Sequence, residues 1–182
     1  MGVESVSEIA WLVTSEDGVA AAYRALYPSV YRSLCRLTAC DTRLAEDLLS
    51  ESFLTLAHAA RIGQIRQVTP AWIHLVARRK FLDRCRRNRA DERALARPAR
   101  LVDETVAAID LDWSRIDVGM ALEASRRLPG LQRAVLVLKY VEDLSIAEIA
   151  ETIARTIPAT ETLLVRSRQA FARLVEEDRR GS

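Results

Sequence analysis

Apolar residues at three- and four-residue steps dominate this chain. Val19, Ala22, Tyr23, Leu26, Val30, Leu34 and Leu37 follow one another at that spacing. This lays them along one stripe of an α-helix; a half-buried strand would alternate with period two. A second stripe, Leu44, Leu48, Phe53, Leu56 and Ala60, begins after Asp41, a residue type that caps helix N-termini. A third starts at Pro70, well suited to a first helical turn, and runs through Trp72, Val76 and Phe81 toward Arg89. Pro28 is expected to kink the first run or divide it. Aromatic residues make up only 5% and glycines number 6, which disfavours an all-β fold. The 49% hydrophobic content is enough for a real core.

The C-terminal third is patterned most clearly. Ala121, Leu122, Ser125 and Leu128 close one helix before Pro129-Gly130, and Leu131, Val135, Leu138 and Val141 mark the next. Ser145-Ile146-Ala147-Glu148 is a capping box, in which the serine and the glutamate satisfy each other's backbone amides. Ile146, Ile149, Ala150 and Ile153 form the buried face of that short helix. Thr156 caps the last one, with Pro158 in its first turn and apolar residues continuing to Leu174. A short helix, a tight turn and a longer polar-faced helix make a helix-turn-helix, and a generic helical hairpin is the alternative.

Residues 94–117 lack periodicity and contain Pro98 and five acids between Asp103 and Asp117. They read as a flexible acidic linker, giving an all-α chain of two helical domains. The expected boundaries are a lead-in over 1–16, a first domain over 17–93, the linker over 94–117, a second domain over 118–176 and a tail over 177–182. Ile9 to Val13 form a short apolar stretch able to dock, and 63–69 read as a loop.

Net charge is only +2, but its distribution is uneven. Residues 78–89 carry seven basic side chains and one acid, which suits a polyanion as well as a solvated helix face. Trp72, near the start of the same helix, suits base stacking as well as a core role. The three cysteines, Cys35, Cys40 and Cys85, form no CxxC pair, and neither His58 nor His74 lies in a ligand pattern, so no metal or cofactor is expected. Asp47 and Glu51 share a helix face at i and i+4, but no nucleophile or phosphate-binding loop accompanies them, so no enzymatic activity is expected. The first residues lack a basic signal-peptide region and no apolar run approaches about 18 residues, so no membrane insertion and a cytoplasmic location are expected.

On the last helix the side chains expected to face DNA are Thr160, Glu161, Thr162, Val165, Arg166 and Arg168. Arginine pairs with guanine, glutamate accepts from cytosine, and apolar groups touch the thymine methyl. A free-standing DNA-binding regulator and a helical adaptor that never meets DNA remain alternatives at this level.

Three segments, in order, are similar to the extracytoplasmic-function sigma factors. Ala45-Glu46-Asp47-Leu48-Leu49-Ser50-Glu51-Ser52-Phe53 resembles the family's clamp-binding helix, with serine where glutamine is usual at Ser50. Pro70 to Arg87 resembles its promoter-melting helix, with Arg79 where asparagine is frequent. Leu128-Pro129 and Arg133 to Ala150 resemble the start of its helix-turn-helix domain. The following helix departs from the family at Glu161 and Leu163, so its base readout should differ from the common type.

The resemblance implies sigma domain 2 followed by a sigma domain 4 helix-turn-helix. It implies binding of core RNA polymerase, at the beta-prime clamp and beta flap, through Asp47, Leu48, Ser50, Glu51 and Leu54. It also implies capture of the minus-ten strand by Gly63, Gln64, Trp72, His74, Arg78, Arg79, Lys80, Arg84, Arg86 and Arg87. Minus-thirty-five readout falls to Thr160, Glu161, Thr162, Val165, Arg166 and Arg168. An anti-sigma factor is implied as a further partner.

Overall fold

The computed structural model describes residues 10–95 and 118–181. Expectations for 1–9, most of the linker (96–117) and Ser182 lie outside the described residues. Among the described residues, helices dominate, and the chain divides into two compact units after Phe81.

In the first unit, β1 (Trp11–Leu12) precedes α1 (Glu16–Leu37) and α2 (Thr42–Arg61), and β2 (Gln67–Val68) leads into α3 (Pro70–Leu95), whose residues up to Phe81 belong to this unit. Ser15 caps α1 by accepting from the Gly18 amide at 3.2 Å, and Glu16 and Asp17 favour the positive end of the helix dipole. The helix runs through Pro28 as one element. Pro28 is solvent-exposed, while Leu26, Val30 and Leu34 on either side of it are buried. Their burial, of order 1.5–3 kcal/mol each, outweighs one missing backbone hydrogen bond.

α1 ends in a Schellman motif. The Cys40 amide donates to the Cys35 carbonyl at 2.7 Å and the Ala39 amide to the Arg36 carbonyl at 3.4 Å, with Ala39 in the left-handed region at φ 52°. Asp41 then caps α2, its Oδ1 accepting from the Leu44 amide at 3.0 Å. Leu48, Leu49, Phe53 and Leu56 pack toward α1.

The end of the lead-in and the loop after α2 carry more structure than their sequence suggests. β1 pairs antiparallel with β2, Trp11 opposite Val68 and Leu12 opposite Gln67, and the Val13 amide donates to the Arg66 carbonyl at 2.9 Å. Val13 and Val68 are buried. Strands of two residues show no period-two signal, so only the apolar character of 9–13 hinted at docking. Gly18 permits the close approach, because a Cβ there would lie 2.3 Å from the Leu12 carbonyl oxygen. Thr69 accepts from the Trp72 amide at 3.3 Å and starts α3. That helix continues to Leu95, beyond its expected end near Arg89.

The second unit contains α4 (Val118–Arg127), α5 (Gly130–Tyr140), α6 (Ile146–Ile153) and α7 (Ile157–Gly181). Ala124, Leu128, Leu136, Phe171, Ala172 and Val175 form a core in which α7 packs on α4 and α5. α7 extends beyond the expected end near Leu174 for two reasons. Val175 is buried, and the Arg127 guanidinium reaches Glu177 at 2.5 Å and Asp178 at 3.0 Å.

The capping box is formed. The Ser145 amide donates to Glu148 Oε2 at 2.8 Å, and the Glu148 amide to Ser145 Oγ at 3.3 Å. α6 closes on Ala154, left-handed at φ 53°, and the Arg155 amide donates to the Ala150 carbonyl at 2.9 Å. Three residues, Ala154 to Thr156, therefore separate α6 from α7, as a helix-turn-helix requires. Thr156 Oγ1 accepts from the Ala159 amide at 3.4 Å, which bears out its capping role.

Candidate functional site

The outer face of α2 is set by helical spacing. Asp47, Ser50 and Leu54 point to solvent, Leu54 being 69% exposed, and Glu51 is half-buried. Leu48 belongs to a different face. It is 2% exposed and packs in the core, which corrects its assignment as a contact residue: it holds the face in place without forming part of it. Glu51 Oε2 lies 3.7 Å from Lys80 Nζ on α3, so a residue expected to touch a protein partner is joined to one expected to touch DNA.

Beside this face opens a groove of about 910 Å³, lined by Val19, Tyr23, Phe53 and Ala57 with Ser50 and Leu54 among its walls. The Tyr23 and Phe53 rings meet edge to face with centroids 4.7 Å apart. Sequence periodicity counts both as core and carries no signal for the groove, which arises only when α1, α2 and the segment from Val13 to Ser15 come together.

The segment from Gly63 through α3 divides by exposure. Gly63, at φ 71°, and Gln64 are exposed in the turn after α2, with the Gln64 amide anchored on the Ala59 carbonyl at 2.9 Å. Trp72 is half-buried, consistent with both of its readings. His74 is half-buried with its Nε2 3.3 Å from Ser29 Oγ of α1, so its polar edge is engaged inside the unit. Arg78 and Lys80 are also half-buried. Arg79, Arg84, Arg86 and Arg87 are exposed, Arg86 pairing with Asp83 at 2.7 Å. Four arginines on the surface of one helix provide the cation density that phosphate binding needs.

Of the side chains on α7 expected to face DNA, Glu161, Thr162, Val165, Arg166 and Arg168 are exposed. An aliphatic residue 51% exposed, as Val165 is, suits contact with a base methyl. Thr160 is a second correction. It is fully buried, and its hydroxyl donates to the Thr156 carbonyl at 3.0 Å. Thr160, Leu163 and Ser167 alternate at three and four residues and face inward, which orients the opposite side of the helix outward. Arg155 and Ile157, also exposed, stand at the entry to α7. The three-residue turn was the signal that could have added them. Among the described residues, no group of three or more His, Cys, Asp and Glu side chains is arranged to hold a metal ion.

These two helical units, one bearing a promoter-type basic helix and the other a helix-turn-helix, define a two-part transcription factor. Residues 22–90 match the model of Sigma-70 region 2 and residues 119–171 that of Sigma-70, region 4, together more than half of the chain.

The chain is 24% identical over 169 residues to the ECF RNA polymerase sigma factor SigW of Bacillus subtilis, covering 84% of this chain and 86% of that one. It is 27% identical over 143 residues to the ECF RNA polymerase sigma factor SigM of Mycobacterium tuberculosis, covering 78% and 69%. The fold is similar to that of the sigma factor RpoE of Bartonella quintana, solved with the anti-sigma factor NepR, at a TM-score of 0.55 and 18% identity over 86% of this chain and 96% of that one. The chain belongs to the sigma-70 family of RNA polymerase sigma factors, in its extracytoplasmic-function group. It is an alternative sigma factor that directs transcription initiation.

Proposed function

We propose that this sigma factor divides its work among three surfaces. Asp47, Ser50, Glu51 and Leu54 on α2 engage the polymerase clamp. The turn at Gly63 and Gln64, Trp72 and the exposed arginines of α3 hold the melted minus-ten strand, the ring stacking a base and the guanidiniums meeting phosphates. Glu161, Thr162, Val165, Arg166 and Arg168 of α7 read the minus-thirty-five element, while the second unit docks on the beta flap. The observation that carries this reading is the outward face of α7 opposite its buried Thr160, Leu163 and Ser167.

In this reading residues 17–93 and 118–176 act as the two domains and the acidic 94–117 as their linker. The protein works in the cytoplasm, performs no chemistry of its own and needs no cofactor. No helix among the described residues is long and apolar enough to cross a membrane. An anti-sigma factor is a further partner, as the one crystallised with the Bartonella protein suggests.

Run-off transcription with purified core polymerase tests the whole. The expected outcome is initiation at a defined promoter only when this protein is present. Absence of both core binding and initiation rejects the proposal.

A further inference from the structure

The junction between α1 and α2 holds two of the three cysteines, and the function proposed above uses neither. Cys35 is half-buried in the last turns of α1, and Cys40 is exposed just beyond the helix. They occupy the first and last positions of the Schellman motif, whose six-to-one hydrogen bond runs from the Cys40 amide to the Cys35 carbonyl at 2.7 Å. Side chains at or next to those two positions commonly meet across the turn, usually as an apolar contact. Here both are thiols.

The hydrogen bond also sets a distance. Ordinary bond lengths along that path hold the two Cα atoms under about 7 Å apart. The bends in the path shorten that limit further, which is compatible with the roughly 4.4–6.8 Å that a disulfide spans. The electrostatics agree with two neighbouring thiols. Burial pushes the Cys35 thiol above its ordinary value, its hydrogen bond with Tyr31 opposes that, and Cys40 adds to the rise.

We propose that Cys35 and Cys40 form an oxidant-sensitive pair that closes to an intramolecular disulfide. Exposed Cys40 is the thiol that hydrogen peroxide reaches. Its thiolate takes one peroxide oxygen, giving a sulfenic acid, and the other oxygen leaves as water after protonation. The Cys35 sulfur then attacks Cys40 Sγ, the S–S bond forms, and the sulfenic oxygen departs as a second water. Two thiols have then lost two electrons and two protons, and one peroxide has become two waters. Disulfides of this kind in a reducing compartment are transient and serve sensing. This one pins the residue before Asp41, the cap of the helix that carries Asp47, Ser50 and Glu51.

Peroxide treatment of the full chain, followed by mass spectrometry, tests the pair. Trypsin cuts after Arg32, Arg36 and Arg43 and so separates the two cysteines. The expected result is one disulfide-linked species joining peptides Ser33–Arg36 and Leu37–Arg43, reversed by a dithiol. The intact mass falls by about 2 Da, the two hydrogens lost. Thiols titrated in denaturant fall from three to one, the remaining one being Cys85. Cys40→Ser, at an exposed position, and Cys35→Ser should each abolish the linked species. Linkage through Cys85, disulfide-joined dimers, or Cys40 oxidised to sulfinic acid while Cys35 stays free would each overturn the proposal.

Discussion

Lys80 Nζ stands 3.7 Å from Glu51 Oε2, tying the basic helix α3 to the acidic face of α2. The two side chains are 27% and 44% exposed, so water screens their attraction and the pair belongs with surface ion pairs, worth roughly 0.2–1 kcal/mol. Its effect is chiefly on orientation: the glutamate proposed to meet core polymerase is held by a lysine whose neighbours on α3 are proposed to meet DNA.

A double-mutant cycle with Glu51→Gln and Lys80→Met should therefore give a coupling below about 1 kcal/mol in urea unfolding. Glu51→Gln should nonetheless weaken core polymerase binding in a pull-down or fluorescence titration. A coupling well above 2 kcal/mol would instead make the pair a structural element of the unit.

Leu48 and Leu54 share one helix and separate packing from contact. Leu48→Ala removes a core side chain and should cost about 2–5 kcal/mol. Leu54→Ala alters an exposed position and should stay within about 0.5 kcal/mol of wild type, yet lower the affinity for core polymerase. Chemical denaturation and core binding, measured on both variants, check the contrast.

The same logic applies on α7. Thr160→Val keeps the shape of a buried side chain and should leave promoter preference unchanged in run-off assays. Arg166→Ala should leave stability within about 0.5 kcal/mol and cut output from the native promoter. If it contacts a base, the loss should fall at one minus-thirty-five position, with about 1–3 kcal/mol of discrimination removed there.

Gly18 gives a prediction whose sign is informative. In an exposed helix, Gly→Ala stabilises by about 1 kcal/mol. Here the added methyl meets the Leu12 carbonyl oxygen, so Gly18→Ala should destabilise by about 1–3 kcal/mol. Hydrogen exchange at the Val13 amide, which is bonded to Arg66, should accelerate as β1 lifts.

Elements held by local chemistry were legible in the sequence. The Asp41 cap, the Ser145–Glu148 box, the Thr156 cap and the stripes of α1 and α2 all depend on residues within a few positions of one another. What was not legible depended on tertiary structure. Pro28 stays inside α1 because distant apolar partners hold that helix. Val13 bonds to Arg66, and Trp11 pairs with Val68, across two helices, and α7 runs past Leu174 because Arg127 reaches back to Glu177 and Asp178. Leu48 and Thr160 were chosen by position in a motif, and a motif does not say which face of a helix a neighbouring core will cover.

The turn of the helix-turn-helix offers the last test. Ala154 holds φ 53° and ψ 55°, a left-handed conformation that costs an L-residue with a Cβ roughly 1–2 kcal/mol. Glycine relieves that strain but returns about 0.4–1 kcal/mol through the greater freedom of its unfolded chain. Ala154 is exposed, so no packing is lost with its methyl group. Ala154→Gly should therefore leave a net gain of up to about 1.6 kcal/mol, centred on roughly 0.8 kcal/mol, read as a higher urea midpoint at unchanged m-value. Promoter preference should not move, because the residues proposed to read the minus-thirty-five element, Glu161 to Arg168, lie beyond the turn. A lower midpoint would mean that this alanine's side chain supports the turn in a way its geometry does not reveal.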